Sequence, residues 1–250
     1  MKKFLVAAAT AAAFCGAPVF AADMPVKASA APYDPWTGFY VGGSVGARSS
    51  EVDWRTVTFS VGPPLLDNPA SLDKTGVRIG SYVGYNWKIA PAWLAGLEAD
   101  IAWGDNKKTH TPWPGTSGIF GAASGHDFVT AKLGLDGSLR GRLGVLVNPN
   151  SLVYATGGVA WQEIKTIATC DGTLPSACAA PRSESSSTIK AGWTIGGGVE
   201  AILSKNWFGR VEYRYSDFGH VSNNFGPGPS FTANVNVRTN TTLLGLAYKY

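Results

Sequence analysis

The chain has 250 residues, a formal charge of +4 and only 15% charged residues, against 31 glycines and 12% aromatics. Lys2 and Lys3 carry two of those positive charges, so the remainder is close to neutral and lacks the basic excess that nucleic acid demands. Glycine in nearly every segment counts against helices, and beyond residue 22 no apolar run approaches the ~20 residues of a membrane helix.

Residues 1–22 read as a secretory signal peptide: a positive start at Lys2 and Lys3, a short apolar stretch, and small residues for cleavage after Ala21 or Ala22. Residues 23–35, rich in Ala and Pro and without pattern, read as a flexible periplasmic leader. From residue 36 to 250, period-two alternation recurs in eight segments. The first sets Phe39, Val41, Gly43 and Val45 on one face. In the second, Val77, Ile79, Val83, Tyr85 and Trp87 oppose Arg78, Tyr82 and Asn86. The third sets Trp93, Leu97, Ile101 and Trp103 against Glu98 and Asp100. The fourth sets Ala131, Leu133, Leu135, Leu139, Leu143 and Val145 against Lys132, Asp136, Ser138, Arg140 and Arg142. The fifth opposes Val153, Ala155, Val159 and Trp161 to Tyr154, Thr156 and Gln162. The sixth opposes Trp193, Ile195, Val199 and Leu203 to Thr194 and Glu200. The seventh opposes Trp207, Val211, Tyr213 and Tyr215 to Arg210, Glu212 and Arg214. The eighth, "TTLLGLAYKY", alternates Leu244, Leu246, Tyr248 and Tyr250.

Connections alternate in length. "IAP", "NPNS" and "SKN" are tight turns, whereas roughly residues 49–73, 106–127, 167–187 and 218–234 read as long loops rich in Pro, Gly, Asn and Ser. Short turns at one end and long loops at the other describe an all-β, eight-stranded, antiparallel up-and-down transmembrane β-barrel with both termini periplasmic. A soluble β-sandwich shares the alternation but must hide many strand-end tryptophans in one core. In the barrel reading the apolar face meets lipid. The other face carries Arg78, Glu98, Asp100, Lys132, Asp136, Arg140, Arg142, Glu200, Arg210, Glu212 and Arg214, six basic and five acidic groups. Such near balance is what a narrow interior requires of buried charges. Trp87, Trp93, Trp207, Tyr248 and Tyr250 at one end, and Trp103, Trp161, Trp193 and Tyr215 at the other, read as two aromatic girdles.

With Cys15 inside the signal segment, Cys170 and Cys178 form an even pair in an exported chain and read as a disulfide pinning the third loop. It closes a short loop, worth at most about 3 kcal/mol.

At "WTGFYVGGSVG", "GSLRGRLGV", "VYATGGVAW", "GWTIGGGVE", "EYRYSDFG" and "GLAYKY" the sequence resembles the small outer-membrane surface-antigen, or opacity-like porin, barrels of alphaproteobacteria. The resemblance covers nearly the whole mature chain. It implies an eight-stranded barrel in the Gram-negative outer membrane with structural, permeability or host-interaction roles, and with no enzymatic activity or cofactor. Gly245, Tyr248 and Tyr250 resemble the C-terminal strand signal read by the outer-membrane assembly machinery, although Leu243 stands where that signal has a polar residue. The partners so implied are outer-membrane lipids, that machinery, and a host or ligand partner at the loops.

Two chemical alternatives are thin. Lipid A acyl modification needs His, Ser and carboxylate together, for which only His220 with Asp217, Ser216 and Ser222 offers material. A haem or metal site would draw on His110, His126 and His220, which are scattered through the loops. "GGGVE" lacks the Lys-Ser/Thr of a phosphate loop. The interior charges read either as a selective pore lining or as a salt-bridge plug. The plug is favoured because eight strands leave room only for side chains.

Overall fold

The computed structural model describes residues 34–59, 70–111, 127–170, 172, 180–225 and 231–250. Among them the chain forms nine β-strands and no helix. These are β1 (Gly38–Phe59), β2 (Ala70–Ser71), β3 (Lys74–Ala90), β4 (Trp93–His110), β5 (Phe128–Asn148), β6 (Ser151–Cys170), β7 (Arg182–Ser204), β8 (Trp207–Phe225) and β9 (Phe231–Lys249). All but the two-residue β2 are long, from 17 residues in β3 to 23 in β7. Each long strand pairs antiparallel with its sequence neighbours, and β9 returns to β1 from Tyr40↔Lys249 to Phe59↔Phe231, closing the ring. The eight alternating segments of the sequence are thus eight strands of one closed barrel.

The three tight turns lie where Pro91, Pro149 and Lys205 break the alternation. Each locks to the strand beyond the one that follows it: Leu146 of β5, Ile202 of β7 and Lys249 of β9 donate their N–H groups to the carbonyls of Ala92, Asn150 and Asn206 at 2.8, 3.0 and 2.9 Å. Outward side chains are apolar over the middle of the barrel, where Ile79, Leu97, Ile101, Leu139, Val159, Ile195 and Leu244 are all exposed. The short-turn rim of this band carries Trp87, Trp93, Trp207, Tyr248 and Tyr250. Trp207 meets Tyr248, and Tyr248 meets Tyr250, each with ring centroids 5.3 Å apart. Trp103 and Trp193 mark the opposite rim, Trp193 packing on Tyr215 at 5.4 Å.

A span of the hydrocarbon needs about 9–11 tilted residues, so the strands run well past the loop-side girdle. Most of the described residues in the segments expected as long loops are therefore strand. Residues 49–59, 106–110, 182–187 and 218–225 continue the hydrogen-bonded ladders. Stretches such as "SESSST" carry no apolar face, yet their backbone still pairs.

Above the girdle the ring parts into two sheets. β7 pairs with β8 only up to Trp193↔Asp217, so Arg182–Gly192 pair with β6 alone, and β8 beyond Asp217 pairs with β9 alone. On the other side, β3–β4 pairing ends at Arg78↔Gly104. One sheet is then β8–β9–β1–β2 and the other β4–β5–β6–β7. Between them lies an apolar core to which Val52, Trp54, Leu72, Phe218, Val235 and Val237 come from the first sheet, and Val129, Ala131, Leu133, Ala160, Ile164 and Ala168 from the second. The barrel is capped by a small sandwich in which the apolar face points inward.

A β-bulge makes that inversion in β5. Between Leu133 and Asp136 the strand carries one extra residue relative to β6, which flips the side-chain phase. Leu135 and Leu139 face outward as the alternation predicts, but Ala131 and Leu133 are buried in the upper core and Lys132 is turned to the outer surface. The reading of Lys132 as an interior charge is thereby corrected. A second bulge, between Asp217 and His220 of β8, uses Gly219 at φ +63°, with the Gly219 N–H donating to Asp217 Oδ1 at 2.8 Å.

Candidate functional site

The feature richest in chemistry is the barrel interior, built in three layers. Trp36 closes the short-turn end. It is 2% exposed, packs edge-on against Phe208 at 5.3 Å, and donates its Nε1–H to the Pro149 carbonyl at 2.9 Å. Around it Leu94, Leu152, Phe208 and Ala247 form an apolar floor with Tyr40, Tyr82 and Tyr154. Asp34 fixes the approach: its carboxylate accepts from the Trp36 N–H at 3.1 Å and the Thr37 hydroxyl at 2.8 Å, and its carbonyl accepts from Lys249 Nζ at 3.0 Å. Asp34, placed by the sequence within a loose leader, is anchored to the barrel. Burial alone would push its carboxyl pKa up, but the Trp36 N–H, the Thr37 hydroxyl and the Lys88 and Lys249 ammoniums more than offset this and hold it below its ordinary value.

The middle layer is a network of Arg48, Arg78, Arg140, Arg142, Arg210 and Arg214 with Glu98, Asp100, Asp136, Glu200 and Glu212, all buried. Glu98 takes Arg140 and Arg210, both at 2.5 Å, and the Tyr40 hydroxyl at 2.9 Å. Asp100 takes Arg78 at 2.6 Å, Arg214 at 3.2 Å and the Ser138 hydroxyl. Asp136 bridges Arg48 at 2.8 Å and Arg78 at 2.7 Å. Glu212 takes Arg140 and Arg214, both at 2.8 Å, and the Tyr154 hydroxyl at 2.8 Å. Glu200 takes Arg142 at 3.1 Å, and Arg142 also lies 4.1 Å from the Tyr154 ring centroid. Removing these ions from water costs several kcal/mol each. Planar guanidiniums shared between carboxylates return that cost through multiple short, charge-assisted hydrogen bonds.

Glycines make room for this layer. Tyr82 lies over Gly42, Tyr40 over Gly84, and Tyr154 over Gly198, each pair directly opposite across a strand pairing. A Cβ at any of the three glycines would collide with the tyrosine ring. The third layer is the apolar core of the upper sandwich, which closes the loop end above Arg48 and Asp136.

Ten of the eleven charges expected inside are there and belong to this network, while Lys132 pairs outside with Asp105 at 3.6 Å. Arg48 was not expected. It donates to Asp136, to Gln162 Oε1 at 2.9 Å and to the Leu133 carbonyl at 3.0 Å. Its signal is in the sequence, since Tyr40, Ser44 and Arg48 share one phase of β1, but Arg48 is the last residue of the first alternating segment, with no continuing pattern beyond it to mark its face. Gly245 sits inside, against Arg210 and the Tyr82 hydroxyl, whereas Tyr248 and Tyr250 lie on the outer rim. Cys178, the side chain of Cys170, and His126 lie outside the described residues. His110 ends β4, and His220 projects from the β8 bulge. Ser216 is turned into the sealed interior, donating to Thr194 Oγ1 at 2.9 Å, so it does not face His220. Among the described residues no three His, Cys, Asp or Glu side chains cluster as metal ligands.

The outer membrane protein β-barrel domain description matches residues 7–250. The 31 kDa outer-membrane immunogenic protein of Brucella melitensis is 30% identical over 99% of this chain and 100% of its own length. The 22 kDa outer membrane protein of Rhizobium leguminosarum bv. viciae is 29% identical over 92% of this chain and 83% of its own. Among solved structures, the outer membrane protein OprG from Pseudomonas aeruginosa aligns with a TM-score of 0.48 and 11% identity, covering 86% of this chain and 97% of that one. These relatives are named as outer-membrane proteins. A ring of strands with an apolar, girdled outside and a charged inside, matched along its length by such relatives, is a surface protein seated among the lipids of the outer membrane, and the chain belongs to the outer membrane protein β-barrel family.

Proposed function

We propose that this barrel serves the envelope as a closed structural and surface-display element, not as a solute channel and not as an enzyme. The observation that carries the reading is the filled interior: Trp36 and its apolar floor at one end, eleven interlocked charges in the middle, and the upper core at the other end. A pore lining keeps charged groups in water, whereas here every arginine of the network is held by carboxylates at hydrogen-bond distance. Purified, refolded protein in planar lipid bilayers is expected to be electrically silent. Stable single-channel steps, altered by Arg140→Ala or Arg210→Ala, would overturn the reading in favour of a porin.

A host or ligand partner at the exposed end is a second reading, favoured by the paired strands that continue beyond the loop-side girdle. Deleting residues 112–126 and 226–230 should then abolish binding of such a partner while heat-modifiable migration persists. Recognition by the assembly machinery belongs with Gly245, Tyr248 and Tyr250, and removing Tyr250 should lower outer-membrane levels.

A further inference from the structure

Just beyond the loop-side girdle, three adjacent strands place a lysine at the same level. Lys107 of β4 is directly opposite Lys132 of β5, and Lys132 is directly opposite Lys165 of β6. Like charges directly opposed across strands destabilise a sheet. Among the described residues only Lys132 of the three has a carboxylate partner, Asp105 at 3.6 Å. Glu163 is engaged elsewhere, accepting from the Leu135 N–H at 3.4 Å and the Ser187 hydroxyl at 3.3 Å. Lysines commonly blunt exposed sheet edges, which accounts for Lys107 on the free edge of β4 but not for Lys132 and Lys165, because β5 and β6 are the inner strands of their sheet.

The row borders a shallow cavity of about 400 Å³ lined by Trp103, Lys107, Thr130, Lys132, Glu163 and Lys165. Trp103 belongs to the girdle, and Leu135 and Ile189, exposed to the lipid side, lie immediately below the lysines. The cavity therefore sits at the boundary between acyl chains and headgroups of the outer leaflet. Its chemistry is three ammoniums, a hydroxyl and the Glu163 carboxylate above an indole, a net positive lining that suits an anionic group attached to a sugar and anchored by chains below.

We propose that Lys107, Lys132 and Lys165 form a binding site for the phosphate groups of phosphorylated glycolipid in the outer leaflet. The bound phosphate relieves the repulsion of the row, and Trp103 packs beneath the sugar. The lipid, not free phosphate, is the ligand, because the site opens toward the acyl region.

The test uses the full chain, folded in uncharged detergent micelles, with native mass spectrometry as the readout. The probes are bisphosphorylated lipid A, its dephosphorylated form and inorganic phosphate. The combined variant Lys107→Gln, Lys132→Gln, Lys165→Gln should bind bisphosphorylated lipid A on the order of tenfold or more weakly. Lys205→Gln, at the opposite end, should bind as the parent does. Dephosphorylated lipid A should bind the parent as weakly as the triple variant binds the phosphorylated form, and inorganic phosphate should not displace the lipid at equal concentration. Heat-modifiable migration verifies that each variant is folded. Equal affinity of parent and triple variant, equal loss in Lys205→Gln, equal binding of the dephosphorylated lipid, or displacement by inorganic phosphate would each overturn the proposal.

Discussion

Glu98 shows how little freedom a single interior side chain has. Two guanidiniums at 2.5 Å and a phenol converge on one carboxylate that is 2% exposed. Glu98→Ala takes from Arg210 the carboxylate that holds it and leaves Arg140 to Glu212 and Asp100, and breaking such a buried pair costs roughly 3–5 kcal/mol. Lys132→Ala, on the outer surface, should change stability by no more than about 0.5 kcal/mol. Urea unfolding in micelles should place the two variants far apart, and equal midpoints would contradict the network. Asp34 gives a pH dependence of known sign. A carboxyl held below its ordinary pKa contributes stability above that value, and the contribution is lost as pH falls through the lowered one. Acidification below the ordinary carboxylate range, or Asp34→Asn at neutral pH, should loosen Trp36. The measurement is the 19F resonance of fluorotryptophan at position 36, assigned with Trp36→Phe.

At the level of the strand, hydropathy alternation carried most of the fold and part of the site. Tyr82, Tyr154 and ten interior charges were legible because each lies in the central stretch where lipid outside and charge inside force opposite residue types onto the two faces. The same rule failed in two places, each for a physical reason. Above the girdle both faces meet different surroundings, water outside and an apolar core inside, so segments such as "HVSNNF" and "TANVNV" lose the signature of a membrane strand while keeping their ladder. In β5 the bulge at Gly134–Leu135 inverts the phase, which no alternation count can see, and Lys132 was carried to the wrong face. If the bulge sets the phase, then in a Cys170→Ser, Cys178→Ser background Lys132→Cys should react with a polar maleimide in the folded barrel and Leu133→Cys should not. The reverse labelling pattern would show that the phase does not invert.

For the whole molecule, three layers of filling make the barrel a solid post rather than a tube, and its two halves are closed by different means. The membrane half is a continuous ring, in which a register change in one strand must be matched by all eight. Among the described residues the upper half is two sheets that meet through side chains, since β7–β8 pairing stops at Trp193↔Asp217 and β3–β4 pairing at Arg78↔Gly104. Inserting or deleting a pair of residues within 182–188 of β7 or 222–225 of β8 therefore disturbs one sheet edge and leaves the ring's shear untouched. A surface built this way can change length and sequence without renegotiating its place in the membrane. The seam between β7 and β8 is thus where this architecture separates what can vary from what cannot.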